Sequence, residues 1–386
     1  MKLLFISKYP PIEGYVSSST YWLARGLARK GHRLTVVTNA FEVEDGNREE
    51  LTGDDLDRYQ SRSVRVRNTD PFQGYRLIPD ANPFCEKLAS AALERAGDAD
   101  LIDSWYFASY GTAGMLVKAA TGLPLAVRHA GSDLGRLAPN LHLRPLMSAL
   151  VKYADAVVAQ RGAAPKLRGL GAEPSHIFEI PVSVDTKAFA PGVPPAELGA
   201  PEGVPLISYI GKITRGKGVL ELLRAAAGIP EDFRLLLVSS GAPELLRGLN
   251  MHSRFRKRLF LRRFVPPWRM PGILRASRCV VFPEHDFPVK SHMPILPREA
   301  MACGTCLAIS RELKSKVGGG KLVDGESALV VEPEKTKAFT SKLRSVVRDD
   351  KLAARLGRNG HRLSKKLEDF EGYISANVNM YRKITE

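Results

Sequence analysis

The sequence predicts an α/β protein built from two domains, each a doubly wound parallel sheet. Three observations carry this prediction. Short apolar runs alternate with stretches of helical periodicity over most of the chain, the alternation stops once at a segment dense in proline and glycine, and it then begins again. At 386 residues, 44% apolar and 25% charged, the chain can supply two buried cores.

The first element is "KLLFIS" (2–7), a compact apolar run of strand length. "SSSTYWLARGLARKG" (17–31) follows with cap-type serines, an apolar stripe at helical spacing and Gly31 to stop it, and "RLTVVT" (33–38) is a second buried-type run. Strand, helix and strand in this order make a right-handed βαβ unit with parallel strands. "ADLIDSW" (99–105), a helical stretch through "GTAGMLVKAATG", "LPLAVRHAGSD" (123–133), "ADAVVAQ" (154–160) and "IFEIPVSVD" (177–185) continue the theme.

"APGVPPAELGAPEGVP" (190–205) then interrupts it, and its composition suits an exposed linker. Strand-type runs resume at "LISYIG" (206–211), "RLLLVSSG" (234–241), "CVVFPEHD" (279–286), "TCLAIS" (305–310) and "SALVVEP" (327–333). The expected organisation is a Rossmann-like domain over 1–188, a linker over 189–204, a second Rossmann-like domain over 205–366 and a closing helix over 367–386. Two such domains on a linker are expected to face each other across a cleft, because ligands of these sheets bind outside the carboxyl ends of the strands.

The net charge of +16 is unevenly spread. Up to Asp185 there are 22 Lys plus Arg against 21 Asp plus Glu, which leaves 35 against 20 for the rest, so about +1 and +15. No acid lies between Glu244 and Glu284, where Arg247, Arg254, Arg256, Lys257, Arg258, Arg262, Arg263, Arg269, Arg275 and Arg278 all fall. A basic half-molecule attracts anions: nucleotide phosphates, an anionic acceptor or an acidic membrane face. The bland alternative is a solvated arginine-rich face. In "SRFRKRLFLRRF" (253–264) the aromatics read first as the inward side of a passage to "VPPW", then as a contact for anionic lipid or acceptor. No motif supports a nucleic-acid partner.

No apolar run approaches the ~20 residues of a membrane-spanning helix. "MKLLFISKYPPIEG" meets prolines too early for a signal peptide, so the expected location is cytoplasmic, peripheral to the inner face of the membrane if the basic domain makes that contact. Four cysteines (Cys85, Cys279, Cys303, Cys306) are too few for a disulfide framework, and Cys303 and Cys306 read as small apolar residues at a helix end. No residue pattern with metal-ligand spacing is evident, and no cofactor is expected.

In "YIGKITRGKGVLELLRAA" (209–226) a strand ends at Gly211, a loop carries Lys212, Arg215 and Lys217, and a helix begins near Gly218. Two lysines five positions apart beside a helix N-terminus can hold a diphosphate without a metal. The spacing is not that of a P-loop, and an ordinary basic strand–helix turn is the alternative.

Here the chain resembles the retaining glycosyltransferases of family 4, whose GT-B fold comprises two Rossmann-like domains facing a cleft. That family transfers a sugar from a nucleotide diphosphate-sugar to a hydroxyl acceptor. The resemblance rests on Gly211-Lys212 and Lys217-Gly218, with Lys in place of the usual Arg, so a point charge replaces a planar fork. It extends to "YPPIEGYVSSSTYWLARGLARKGHRLTVVT", "RHAGSDL" (128–134), "IPVSVDTKAFAP" (180–191), "LVDGESALVVEP" and the terminal "GYISANVNMYRKI", in the family's order. It implies that the first domain binds acceptor, the second binds donor, and the last helix crosses back to the first domain. Gly14 belongs to the glycine-rich loop, and Tyr15, where a second glycine is usual, is expected to reshape the acceptor side.

The family's E-x7-E signature falls on "SHMPILPREAMACG" (291–304). Glu299 matches the second acid, which hydrogen-bonds the nucleotide ribose in the family. The first acid is replaced by Ser291, and Pro294 stands at a usual glycine and lacks an N–H. The amides of Ile295 and Leu296 remain for phosphate, Ser291 and His292 offer hydrogen-bonding groups, and Met293 an adaptable apolar wall. Glu284 or Asp286 would take over the missing acid's part if the register were shifted.

By resemblance the reaction retains configuration at the anomeric carbon and needs no metal. Lys212, Lys217 and the helix start would stabilise the departing diphosphate. His129, at a strand end, is implied near sugar and acceptor, with Asp133 beside it; structural roles for both, Asp133 as a helix cap, stay open. A nucleotide-sugar-binding protein of the same fold that has lost transfer is the alternative, motivated by Ser291, Pro294 and Tyr15.

Overall fold

The computed structural model describes residues 1–43, 45–49, 51–70, 83–239, 253–288 and 293–386. The chain divides into two compact units: 1–183 with 370–386, and 184–288 with 293–369.

In the first unit seven parallel strands, β1 (Lys2–Ser7), β2 (Arg33–Thr38), β3 (Val64–Asn68), β4 (Leu101–Trp105), β5 (Leu125–Arg128), β6 (Ala156–Ala159) and β7 (Ile177–Glu179), lie in the order β3-β2-β1-β4-β5-β6-β7. Leu3 pairs with Leu34 on one side and Leu101 on the other, which makes β1 central, and Leu3–Ser7 are buried whichever face they point to. That is why its sequence is an unbroken apolar run rather than an alternating one. The Tyr15–Arg29 helix buries Val16, Leu23, Ala24 and Leu27. Gly26 lets it approach the closing helix Phe370–Thr385, since a Cβ there would lie 2.3 Å from Ile374 Cδ1.

Two charged side chains are buried within these strands, Asp103 and Arg128. Arg128 donates to both carboxylate oxygens of Asp103 (2.7–2.9 Å), to Asn377 Oδ1 at 2.5 Å and to the Tyr381 hydroxyl at 2.9 Å, and Tyr381 in turn donates to Asp103 at 2.7 Å. Arg128 and Asp103 are each 2% exposed. Burial works against the arginine's charge, but Asp103 more than offsets this and holds its pKa above the ordinary value. The network ties the closing helix to β4 and β5.

The second unit repeats the topology with β8 (Leu206–Ile210), β9 (Arg234–Val238), β10 (Leu259–Arg262), β11 (Cys279–Phe282), β12 (Cys306–Ser310) and β13 (Leu329–Val331), ordered β10-β9-β8-β11-β12-β13 and again parallel throughout. In each sheet the chain winds outward from one central strand and then outward from its neighbour, so the topological switch lies between β1 and β4 and between β8 and β11.

Several strands are shorter than the sequence predicts: 129–133, 180–185 and 283–286 are not strand. Each tail contains a proline or a glycine, Gly131, Pro181 or Pro283, residues that end or weaken a strand. β3 and β10 were not expected. Both are edge strands: β3 carries Arg65 and Arg67 two residues apart, while β10 ends in Arg262, its Leu261 and Arg262 being exposed with Arg263 just after, and Phe255 just before it is buried. Cys279, Cys303 and Cys306 are buried and unbridged, Cys279 and Cys306 being register partners on β11 and β12. No helix among the described residues is long and apolar enough to cross a membrane.

Candidate functional site

The carboxyl ends of β8 and β11 flank the switch of the second sheet, and the loop from Gly211 to Gly218 lies there. Gly211 is pinned on both sides: its N–H donates to Val238 O at 3.1 Å and its carbonyl accepts from Ser239 Oγ at 2.6 Å. The Lys212 carbonyl accepts the Tyr209 hydroxyl at 2.7 Å, so the loop leaves the strand in a fixed direction with the Lys212 side chain exposed. A tight turn over Arg215–Lys217 ends at Gly218, where φ is +68° and an added Cβ would lie 2.0 Å from the Pro283 carbonyl oxygen. Only glycine fits this contact.

Opposite, β11 ends in Pro283-Glu284. Glu284 is 3% exposed, and its carboxylate pairs with the Lys217 ammonium, which also sits 4.0 Å over the Phe287 ring. The His285 N–H donates to Gly216 O at 3.3 Å. The two loops are thus stitched by backbone and ion pair, leaving Lys217 fixed and partly exposed. Asp286, by contrast, is exposed with φ +50° beside His285. Of the two acids considered for the missing signature residue, Glu284 is the one held beside a lysine.

The Leu296–Ala302 helix carries Glu299, 2% exposed. Burial raises its pKa to about 8, Arg298 opposing the shift and Glu368 adding to it. Arg298 offers little relief because its guanidinium is engaged by Glu368, at 2.7 Å and 2.5 Å. Glu368 also accepts from Val184 N at 2.9 Å. Ile295 and Leu296 open the helix, where N–H groups have no intrahelical acceptor, and Met293 is exposed. Ser291 and His292 lie outside the described residues.

A carboxyl whose folded-state pKa is raised contributes stability that is present below its ordinary value and lost as pH rises through the shifted one. Between the ordinary carboxylate range and pH about 8, Glu299 should therefore make the protein progressively less stable. Glu299→Gln should remove that slope. Urea unfolding at about pH 5 and about pH 8.5 checks it, and equal pH dependence in variant and wild type would remove the assignment.

In the first unit the expected residues gather at the carboxyl ends of β1, β4 and β5. Gly14 opens the Tyr15–Arg29 helix with φ +108°, a conformation that favours glycine. Tyr15 is half-buried, its ring edge-on to Trp105 at 6.2 Å. His129 is 5% exposed, and both ring nitrogens are occupied by backbone: Nε2 accepts from Gln160 N at 3.1 Å and Nδ1 lies 3.3 Å from Ala130 O. Burial lowers its pKa to about 4, so the ring is neutral at pH 7. These contacts make His129 a brace between the ends of β5 and β6, and no general base is assigned to it. Asp133 is wholly buried and accepts from Ala130 N at 2.7 Å and Phe107 N at 3.3 Å; burial raises its pKa to about 6 against those bonds. It braces the loops after β4 and β5 rather than presenting a carboxylate outward.

Sequence reasoning missed Lys217's pairing with Glu284 and the group His285, Asp286 and Glu334, whose ligand-type atoms lie within 4.8 Å of one another. Two of those three are exposed, and Glu334 comes from a distant turn that spacing does not link to "PEHD".

Two family models match the chain in tandem: Glycosyl transferase 4-like domain over residues 16–183, and Glycosyl transferases group 1 over residues 195–363. The chain is a group 1, family 4-like glycosyltransferase. Among its relatives is the D-inositol 3-phosphate glycosyltransferase of Xylanimonas cellulosilytica, 25% identical over 94% of this chain and 90% of the relative. The alpha-maltose-1-phosphate synthase of Mycolicibacterium smegmatis is 29% identical over 61% of this chain and 65% of the relative. Among solved structures, the sucrose-phosphate synthase of Thermosynechococcus elongatus superposes with a TM-score of 0.70 at 18% identity over 99% of both chains. The Anabaena protein HepE, in complex with UDP-glucose, does so with a TM-score of 0.68 at 14% identity, over 100% of this chain and 99% of HepE. The glycosyltransferase has the GT-B fold, its two parallel-sheet α/β domains being the seven- and six-stranded units described above.

Proposed function

We propose that this glycosyltransferase moves a sugar from a nucleoside diphosphate donor of the UDP- or GDP-sugar kind to a hydroxyl acceptor, with retention and without a bound metal. The observation that carries the reading is the set Lys217, Glu284 and Glu299 at the switch-point end of the second sheet. Lys212 and Lys217 would meet the diphosphate, the Lys217 ammonium exchanging Glu284 for a phosphate oxygen. Glu284, released, becomes the acid available to the sugar in place of Ser291. The amides of Ile295 and Leu296 would add donors, Met293 an apolar wall, and Glu299 would hydrogen-bond the ribose hydroxyls from its buried position.

Charge grows on the diphosphate as the glycosidic bond to it breaks, so cations fixed before the reaction act where they lower the barrier. No carboxylate pair about 5 Å apart is needed when the departing phosphate deprotonates the acceptor on the same face of the sugar. Tyr15, beside the glycine loop, would line the acceptor side. UDP-glucose in HepE supports the donor class, and the inositol-phosphate relatives support an acceptor that is a small polyol or its phosphate.

Incubation with UDP-, GDP- and ADP-sugars, a mixed hydroxyl-acceptor panel and EDTA should give a product with the donor's anomeric configuration by NMR. Inverted product, or activity lost to EDTA and restored by Mn²⁺, would overturn the mechanism. Nucleotide binding with no transfer to any acceptor would instead favour a catalytically impaired donor-binding protein.

A cytoplasmic enzyme touching an anionic membrane through β10 belongs to the same proposal, on the strength of exposed Leu261, Arg262 and Arg263. Cosedimentation with vesicles should increase with their anionic lipid fraction and fall for Leu261→Ser with Arg263→Ser. Vesicle binding indifferent to lipid charge would exclude the contact.

A further inference from the structure

The second unit has another concentration of positive charge, at the opposite end of its sheet from the loop of Lys217. A cavity of about 740 Å³ opens where β8, β11 and β12 begin, at Leu206, the Ser277–Arg278 approach to β11, and Cys306. Arg275, Arg278, Arg358 and Arg362 line it with His361, against a single acid, Asp350. Asp350 already pairs with Arg278. Arg358 and Arg362 come from one face of the Asp350–Leu367 helix, one turn apart, and are exposed without a salt-bridge partner among the described residues. A side-chain nitrogen of the half-buried Arg275, Nε, is buried and has no hydrogen-bond partner among the described residues. Like charges converging on one hollow repel one another unless an anion enters. The volume suits a small metabolite.

We infer that this cavity binds a phosphorylated small molecule, and that its occupancy is felt by the helix bearing Glu299. Two of the cavity's own side chains cap the carboxyl end of that helix: Arg275 Nη1 donates to Cys303 O at 3.2 Å, and His361 Nδ1 lies 2.8 Å from Ala302 O. A cation at a helix C-terminus satisfies carbonyls that have no intrahelical partner. The helix has seven residues, so about 10 Å separates its capped end from the end that begins at Ile295 and Leu296. A phosphate that draws Arg275 and His361 toward itself takes donors away from those carbonyls and loosens the seat of Glu299. Pro191 and Gly203–Pro205, from the segment expected as linker, form another wall, so the ligand also touches the chain where the second unit begins. The binding claim stands on the cavity alone. Its effect on nucleotide affinity rests on the donor reading above.

Calorimetric titration with inorganic pyrophosphate, glucose 6-phosphate and glucose separates these claims. The expected result is saturable one-to-one binding of glucose 6-phosphate, weakened about tenfold by Arg358→Ser and about a hundredfold by Arg358→Ser with Arg362→Ser, since charge-assisted hydrogen bonds are among the stronger ones. Lys217→Ala should leave it unchanged, and glucose should not bind. Both substituted arginines are exposed, and an unchanged melting temperature checks that the variants are folded. Binding lost in Lys217→Ala but kept in the double arginine variant would place the anion in the Lys217 loop and overturn the site. So would binding of glucose, or no saturable binding of either phosphate compound at ordinary ionic strength. Pyrophosphate binding without glucose 6-phosphate binding would overturn the sugar-phosphate-sized ligand.

For the coupling, UDP and GDP affinity is measured with and without saturating glucose 6-phosphate. A fivefold or greater weakening of the nucleotide that binds is the magnitude typical of coupled sites, and no change would refute the link to Glu299. A protein that binds neither nucleotide but still binds the phosphate compound would count against the donor reading and not against the cavity.

Discussion

Lys217→Ala should lower kcat/KM for the sugar donor by about a hundred- to a thousandfold, the loss that follows when one preorganised group facing developing charge is removed. The ammonium is positioned before any donor arrives: the Gly218–Pro283 contact fixes the turn, Phe287 lies under the charge, and Glu284 holds it from the end of β11. A flexible surface lysine would have to be ordered during the reaction and would contribute less. The substitution also removes the Lys217 ammonium from buried Glu284, so part of the damage is to stability and must be separated from catalysis. Lys217→Arg makes that separation, because it keeps a cation near Glu284 and should recover activity to within about tenfold of wild type, whereas alanine and methionine should not. Steady-state kinetics beside thermal melts for the three variants provide the check. An alanine variant within about threefold of wild type, at saturating and at limiting donor, would remove Lys217 from the reaction.

Arg128→Met should destabilise the protein by about 3–5 kcal/mol, the range seen when one partner of a buried ion pair is removed and the other is left uncompensated. The loss reaches further than one pair, because the guanidinium also holds Asn377 and Tyr381 of the closing helix. Asp103 would keep only the Tyr381 hydroxyl among these partners. With roughly 2–4 °C lost per kcal/mol in a domain of this size, the melting temperature should fall by on the order of 10 °C. Adding Asp103→Leu should recover much of it, since two apolar groups replace two charges and nothing is left unpaired. A single variant that melts within about 2 °C of wild type would mean that helix packing around Gly26 and Ile374, not the ionic network, holds the closing helix in place.

The central strands were legible in the sequence because a strand buried on both faces is a near-continuous apolar run, as the interiors of "KLLFIS", "RLTVVT" and "LISYI" are, with polar residues at strand ends or as small hydroxyls. β3 and β10 were not. At a sheet edge half the side chains meet water, and "VRVRN" and "LFLR" carry arginines where a strand-finding rule looks for apolar residues. The signal for the ionic network was present in "LIDSW" and "LAVRH", each with one charge inside an apolar run, and a buried charge requires a partner. Which partner lay beyond sequence reasoning, since Asn377 and Tyr381 arrive from the far end of the chain. The strand end at Gly211 and the loop with Lys212 and Lys217 were legible from local spacing, and Glu299 was picked out only by the family resemblance. Glu284 gained its place from the ordering of β8 beside β11, which only the fold supplies. His129 illustrates the converse. Its position at a strand end was readable, but the backbone N–H of Gln160 and the carbonyl of Ala130 that occupy its ring were not.

The first unit is made of two stretches of chain, 1–183 and 370–386, with the whole second unit between them. During translation the nascent first unit therefore waits, with Asp103 and Arg128 lacking their last partners, while the 186 residues from 184 to 369 are made. At about 5–20 residues per second that is an interval of roughly 10–40 s. In this order of synthesis the second unit is free to fold first, and the earlier-made half is finished by the final residues of the chain.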